Sequence, residues 1–303
     1  MSFRLNTLLL ACGLTLTSAL ANAAPLEEVL ELASASRLHA HPYWRILLRY
    51  EGRQQASLVR QAAFFVHPEG ARNAEAEIRA DIHSLYTDSA ELGDQAFGCR
   101  FPARAAWLRA SLPIEAKDLS PLSCQALTTW MQGINPQQAT LIFASDYLNN
   151  PSSMFGHTLL RIDAPDQTEE TRLLAYAVNY TAQTQASNSI DFAWKGLTGG
   201  YPGAFSVLPY YQKVKEYNDF ENRDLWEYQL NLTPAEVTRL LQHLWELKGV
   251  QFPYFFLSSN CSYQLLGLFE AARPGLAMRR DFPVHAIPSD TLRRVLAEQG
   301  MLK

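Results

Sequence analysis

Apolar residues recur at helical spacing through the first part of the chain, then at alternating or contiguous positions through the second. Residues 26–38, 43–50 and 71–85 are predicted helices. Trp44, Leu47 and Leu48 lie along one side of the second, and Ile78, Ile82 and Leu85 recur along the third. Shorter helices are predicted over 103–112 and 124–133. From about Thr140 the pattern becomes one of strands, over 141–145, 158–163 and 173–180, the last two forming a hairpin across a polar turn. Residues 225–231 alternate, with Trp226, Tyr228 and Leu230 on one face, as in a half-buried antiparallel strand. Thr233-Pro234-Ala235-Glu236 is a capping box with proline at the first helical position, followed by a stripe of Leu240, Leu241, Leu244 and Trp245 that ends at Gly249. A further helix begins near Cys261, capped by Ser259 or Asn260, buries Leu265, Leu268, Phe269 and Ala272, and stops at Arg273-Pro274-Gly275. A last amphipathic helix follows Pro288. The order predicts an α+β chain, with a helical module over 24–138 and a mixed domain over 139–303.

Residues 1–23 read as a secretory signal: Arg4, an apolar run over 7–20 and an A-x-A site at Ala21-Asn22-Ala23. Leu9-Leu10-Ala11-Cys12 resembles a lipoprotein box, but the apolar run before it is short and continues past it, so Cys12 is expected to leave with the signal. No later stretch approaches the roughly 18–20 apolar residues needed to span a bilayer, so no transmembrane segment is expected in the mature chain and the periplasm is its expected compartment. The 303 residues suffice for one large or two smaller domains, and 18% charged with 48% hydrophobic residues is an ordinary globular balance. A formal charge of −4 gives no basic footprint, which argues against nucleic acid as a partner.

The cysteines sharpen this picture. Without Cys12 the chain keeps Cys99, Cys124 and Cys261, an odd number for an oxidising compartment. Cys99 and Cys124 flank one short segment and are expected to bridge. Cys261 is then a free thiol with a functional reason to exist; the other reading places it in a disulfide or inert in the core.

Two motifs give the thiol a chemical setting. SSMFGHTLLRI (152–162) places His157 at the entrance of an apolar strand, and SSNCSYQLL (258–266) places Cys261 at the first turn of a helix. A thiol is nucleophilic as thiolate, which a helix N-terminus and a neighbouring imidazolium both favour. The same imidazole can protonate the leaving group. The N–H of Cys261 and a nearby side-chain donor can make an oxyanion hole. Asn179, near the end of the pairing strand, reads equally as the group that orients His157 or as a strand-end asparagine. Asn260 reads as a cap, an oxyanion donor, or both. Ser152 and Ser153 are loop residues, since no nucleophile-elbow motif surrounds them.

Other features carry less. His39 and His41 form an H-x-H pair without a third ligand at recognisable spacing, so neither metal nor cofactor is expected there. Residues 199–203 (GGYPG) neither follow a strand nor open a helix as a phosphate loop would, and read as a turn near the site. The aromatic run 252–257 reads as buried core or as the lining of an acyl-chain pocket.

The pair SSMFGHTLLRI and SSNCSYQLL, with AYAVNY (175–180) between them, resembles the Lnb N-terminal periplasmic domain family over roughly 140–274. Residues 38–86, including HPYWRILLRY, resemble the helical domain that often precedes it in proteobacterial members. The resemblance implies a circularly permuted papain-like or NlpC-type core, an antiparallel sheet packed on the helix that carries Cys261, with histidine before cysteine in the chain. A similar order occurs in the lecithin:retinol acyltransferase group. It implies His157 and Cys261 as the catalytic pair and acyl transfer as the reaction, because the family's namesake is a lipoprotein N-acyltransferase. The expected partner is then a phospholipid or lipoprotein substrate at the membrane surface. The namesake enzymes carry membrane-spanning segments after this domain, which this sequence does not contain. Two further readings stand beside this one. A peptidoglycan endopeptidase or amidase would use the same residues in an open polar groove, whereas acyl transfer needs an apolar slot beside Cys261. A non-catalytic binding protein would go with a Cys261 that is buried, disulfide-bonded or far from His157.

Overall fold

The structure, a computed structural model, describes residues 25–51, 56–146, 154–184, 189–217 and 223–303. The expected signal, Cys12, Ser152 and Ser153 lie outside them. Helices α1 (Leu26–Ala35), α2 (Pro42–Leu47), α3 (Ala74–Thr87), α4 (Phe97–Arg100), α5 (Pro102–Ser111) and α6 (Gln125–Ile134) build the N-terminal part, with a small ribbon of β1 (Tyr50–Glu51) and β2 (Ala56–Ser57). Cys99 and Cys124 are joined in a disulfide that closes a separation of 25 residues.

The second part is built on strands β3 (Gln138–Ala144), β4 (His157–Asp163), β5 (Tyr176–Ala182), β6 (Tyr201–Pro209), β7 (Leu225–Gln229) and β8 (Gln251–Tyr254). They form one antiparallel sheet in the order β7-β3-β4-β5-β6-β8. Helices α7 (Ser189–Thr198), α8 (Tyr210–Lys215), α9 (Pro234–Glu246), α10 (Cys261–Ala272) and α11 (Pro288–Ala297) complete it. The chain is therefore α+β, helices packed with an antiparallel sheet. Alternation along β4 sends Leu160 and Ile162 to the large core shared with α9 and α10, and Leu159 to a smaller cluster with Tyr210 of α8. Almost every residue of α10 is buried, and its polar Ser262, Gln264 and Glu270 are each hydrogen-bonded there.

Several sequence expectations need adjustment. The strand expected from Leu173 starts at Tyr176, because Arg172–Leu174 form a single 3₁₀ turn. Gly199 does make a turn, with φ +74°, but Tyr201–Pro209 that follows is a strand; its two prolines and Gly203 mask the pattern. Trp226, expected on a half-buried face, is 56% exposed, since β7 is an edge strand.

The helical part and the sheet domain share one apolar core running from Val29 to Met301. Polar contacts cross the same boundary. The backbone N–H of Arg104 donates to Glu246 at 2.9 Å, and Trp245 Nε1 to the carbonyl of Cys99 at 3.0 Å. Arg104 is fully buried against the rings of Phe64 and Phe101, and bridges Glu77 at 3.0 Å and Asp81 at 3.6 Å. Glu77 in turn accepts from the N–H groups of Val66 and His67. Removing the cation would strand two buried carboxyl groups, which costs more than the bridge itself contributes. Arg104→Met is expected to lower unfolding free energy by about 3–5 kcal/mol in denaturant titration. Arg293→Ala, which removes an exposed pair with Asp290, should change it by at most about 1 kcal/mol.

Candidate active site

The turn into β4 requires Gly156. Its φ is +89°, and a Cβ there would come 2.8 Å from the ring of Phe143. The next residue, His157, is thereby placed at the very start of the strand. Ladder pairing of β4 with β5 covers Leu160, Arg161 and Ile162 against Val178, Ala177 and Tyr176, and does not reach Thr158 or His157. Where that pairing ends, the first turn of α10 approaches. The Thr158 hydroxyl points to the Cys261 sulfur at 4.0 Å, and the backbone and side chain of Thr158 both help hold the thiol below its ordinary range.

His157 and Asn179 share a face of the sheet, and Nε2 of the imidazole meets Oδ1 of the amide at 2.8 Å. An amide oxygen only accepts, so Nε2 carries a hydrogen and Nδ1 is left for the thiol. His157 lies near the Cys261 thiol and is buried, as are Asn179 and Cys261. Burial by itself would push the Cys261 thiol up. The charge and hydrogen bond of His157, then the two donors of Thr158, outweigh it and hold the thiol below its ordinary range. Burial would likewise depress His157, yet the Cys261 charge, its hydrogen bond and Asn179 move the imidazole upward against it and against nearby Lys213. Opposite shifts in the two partners favour a thiolate–imidazolium pair.

Asn260 is the cap of α10. Its Oδ1 accepts from Tyr263 N at 3.3 Å and Ser262 Oγ at 2.9 Å, while Nδ2 donates to the carbonyls of Phe256 at 3.0 Å and Ala286 at 2.6 Å. The amide thus locks the loop that presents Cys261, and both of its hydrogens are engaged. Cys261, at the first helical position, has a backbone N–H without an intrahelical partner. Tyr254 is buried near Cys261, and burial together with the Cys261 charge pushes its phenol upward. Sequence reasoning missed this tyrosine because it sits in an aromatic run where core packing accounts for every ring. Its proximity to the cysteine arises from β8 ending just before the α10 loop.

Cys261 is the free cysteine among the described residues, and it is 1% exposed. Of the three marks of a silent cysteine, burial is present; disulfide bonding and distance from His157 are not. A small void of about 10 Å³ borders Thr158 and Ser262, walled by Leu141, Leu265, Leu266 and Phe269. The segments leading into the two catalytic candidates carry exposed apolar side chains: Met154 and Phe155 before His157, Leu257 before Cys261, and Val284 beside it in the loop bonded to Leu257. Elsewhere, His41 caps α2 by accepting from Tyr43 N at 3.1 Å and packs on Trp107. No cluster of three or more metal-ligating side chains occurs among the described residues.

The pair makes a direct test. In the wild type, thiolate absorbance at 240 nm is expected to titrate below the range of a free cysteine. The midpoint should move upward in His157→Ala and, by a smaller step, in Asn179→Ala, with Cys261→Ser as the blank. An unshifted midpoint in His157→Ala would break the coupling.

No curated protein and no solved structure matches the chain. Among the described residues, no helix is long and apolar enough to cross a membrane. Residues 36–111 match a domain of unknown function (DUF7843), which covers most of the helical part from α2 to α5. The region holding the sheet, His157, Asn179 and Cys261 is similar throughout to one family: the model of the Lnb N-terminal periplasmic domain matches residues 126–298, more than half of the sequence, and the chain belongs to that family.

Proposed function

We propose that this protein is a periplasmic thiol enzyme that takes an acyl group onto Cys261 and passes it to an amine or to water, as a lipoprotein N-acyltransferase-like catalyst with a permuted papain-like core. The observation that carries the reading is the buried triad of Cys261, His157 and Asn179. An inert core cysteine needs no imidazole and amide buried beside it, and a titratable pair shifted in opposite directions beside a nucleophile is characteristic of functional sites.

The chemistry follows from the atoms in place. The Cys261 thiolate attacks the acyl carbonyl carbon, the C–S bond forms, and the carbonyl π pair moves to oxygen. The N–H of Cys261 and the Tyr254 hydroxyl are the donors for that oxyanion. On collapse the carbon–oxygen bond to the leaving alcohol breaks, and the alcohol takes the proton from Nδ1 of His157. Neutral His157 then removes a proton from the incoming amine or water, which displaces the thiolate. Asn179 holds the imidazole in the tautomer that both steps need. The exposed apolar side chains on the segments leading into His157 and Cys261 suit a fatty-acyl donor such as a phospholipid.

Incubation of the mature protein with phospholipid vesicles, followed by intact-mass spectrometry, is expected to show a fatty-acyl increment removable by hydroxylamine. Cys261→Ser should show none. Asn179→Ala should acylate about ten- to a hundredfold more slowly, the range expected when proton transfer loses its orientation. No increment on a Cys261 that still alkylates would defeat the acyl-transfer reading.

A further inference from the structure

The helical module reaches under the catalytic helix with one residue that is costly to place there. Arg49, at the end of α2, has φ +56°, a left-handed backbone that a non-glycine residue adopts only under constraint. Its conformation is fixed by its own N–H donating to Ile46 O at 3.0 Å and its carbonyl accepting from Leu58 N at 3.1 Å. The side chain is 0% exposed and lies over the ring of Phe252 at 5.3 Å. Nη2 donates to Oε1 of Gln264, one turn into α10, while Nε and Nη1 have no hydrogen-bond partner among the described residues. Room for it exists only because residue 267 is glycine: a Cβ there would stand 2.2 Å from Nη1 of Arg49.

The contact continues towards the nucleophile. Gln264 Nε2 donates to Ser259 Oγ at 2.8 Å. The Ser259 carbonyl accepts from Phe255 N at 3.2 Å, closing the turn that runs into the Asn260 cap and Cys261. A contact serving only cohesion would be met at lower cost by an apolar side chain, since this one buries a guanidinium with two idle donors. What an apolar residue could not do is hold the oxygen of Gln264, and with it the direction of the Gln264 amide that fixes Ser259.

We propose that Arg49 is a positioning residue of the active site, through which the helical module sets the geometry of the Cys261 turn by way of Gln264 and Ser259. This rests on Cys261 being the nucleophile proposed above. It gives the module matched by the domain of unknown function a role in the reaction, beyond its share of the common core.

The test uses the full mature chain and two readouts: the alkylation rate of Cys261 by iodoacetamide, and the burst rate with p-nitrophenyl butyrate. Both are taken at a temperature where circular dichroism shows every variant folded. Arg49→Met is expected to lower the burst rate at least tenfold, and Gln264→Met to match it. The double variant should be no slower than either single one, because both act along one relay. Arg49→Lys, which keeps a charge and a donor, should recover part of the loss. Tyr43→Phe is the control: it removes another bond from module to α10, Tyr43 Oη to Ala271 O at 2.5 Å, and should cost stability without slowing the thiol. Arg49→Met rates within threefold of wild type, additive losses in the double variant, or an equal loss in Tyr43→Phe would each overturn the proposal. Should Arg49→Met fail to fold, Ser259→Ala decides, with at least a threefold loss expected and an unchanged rate overturning it. If wild type shows no burst while Cys261 alkylates, the acyl-transfer reading fails, and Arg49 is judged on alkylation alone.

Discussion

The constraint on which the rest of the structure depends is the burial of α10 on every side. A helix so enclosed cannot turn or slide to find a reactive pose for its first residue, so neighbouring elements must set that pose. Asn260 fixes the loop before it, β4 and β5 leave their pairing incomplete in front of it, and the module closes it from behind. The gap in the ladder matters chemically. Continued pairing would take up the N–H of Thr158, which here lies on the unpaired stretch and lowers the Cys261 thiol. An unfinished sheet thus contributes to the low-lying titration of the thiol.

Two buried polar clusters illustrate different solutions to the same cost. Around Arg104 the carboxyl groups of Glu77 and Asp81 are met by a guanidinium packed against two rings, and Glu77 also takes two backbone N–H groups. That cluster binds α3 to α5 and, through Glu246, to α9. Around Cys261 the groups are individually weaker, a thiol, an imidazole, an amide and a phenol, and each proton has more than one place to go. The first arrangement is suited to holding a shape, the second to moving a proton. Both lie within a single apolar core, so the helical part and the sheet domain form one packing unit.

Much of this was legible in the sequence. The capping box at Thr233 appears with both reciprocal bonds, the helix at Cys261 begins at the cysteine, and the Cys99–Cys124 bridge is formed. His157 and Asn179 are brought together on one face of the sheet, a relation that period-two spacing encodes, although Asn179 sits in the middle of β5 and not near the strand end expected of it. Less visible were α7, whose Ile190 and Trp194 face outward, and β6, where prolines interrupt the alternation. Arg49 and Tyr254 were invisible for a different reason. An arginine after an amphipathic helix reads as solvent-facing and a tyrosine among phenylalanines as core. Only the tertiary contact with α10 distinguishes them.

The order of the cysteines along the chain has a bearing on how the protein matures. Cys99 and Cys124 are joined, and Cys261 follows both. In a chain delivered N-terminus first to an oxidising compartment, the first two thiols meet before the third has arrived. In the folded chain those two thiols are consumed by each other, and α10 holds Cys261 at 1% exposure. Linear order and burial together favour one of the three possible pairings and leave Cys261 out of it.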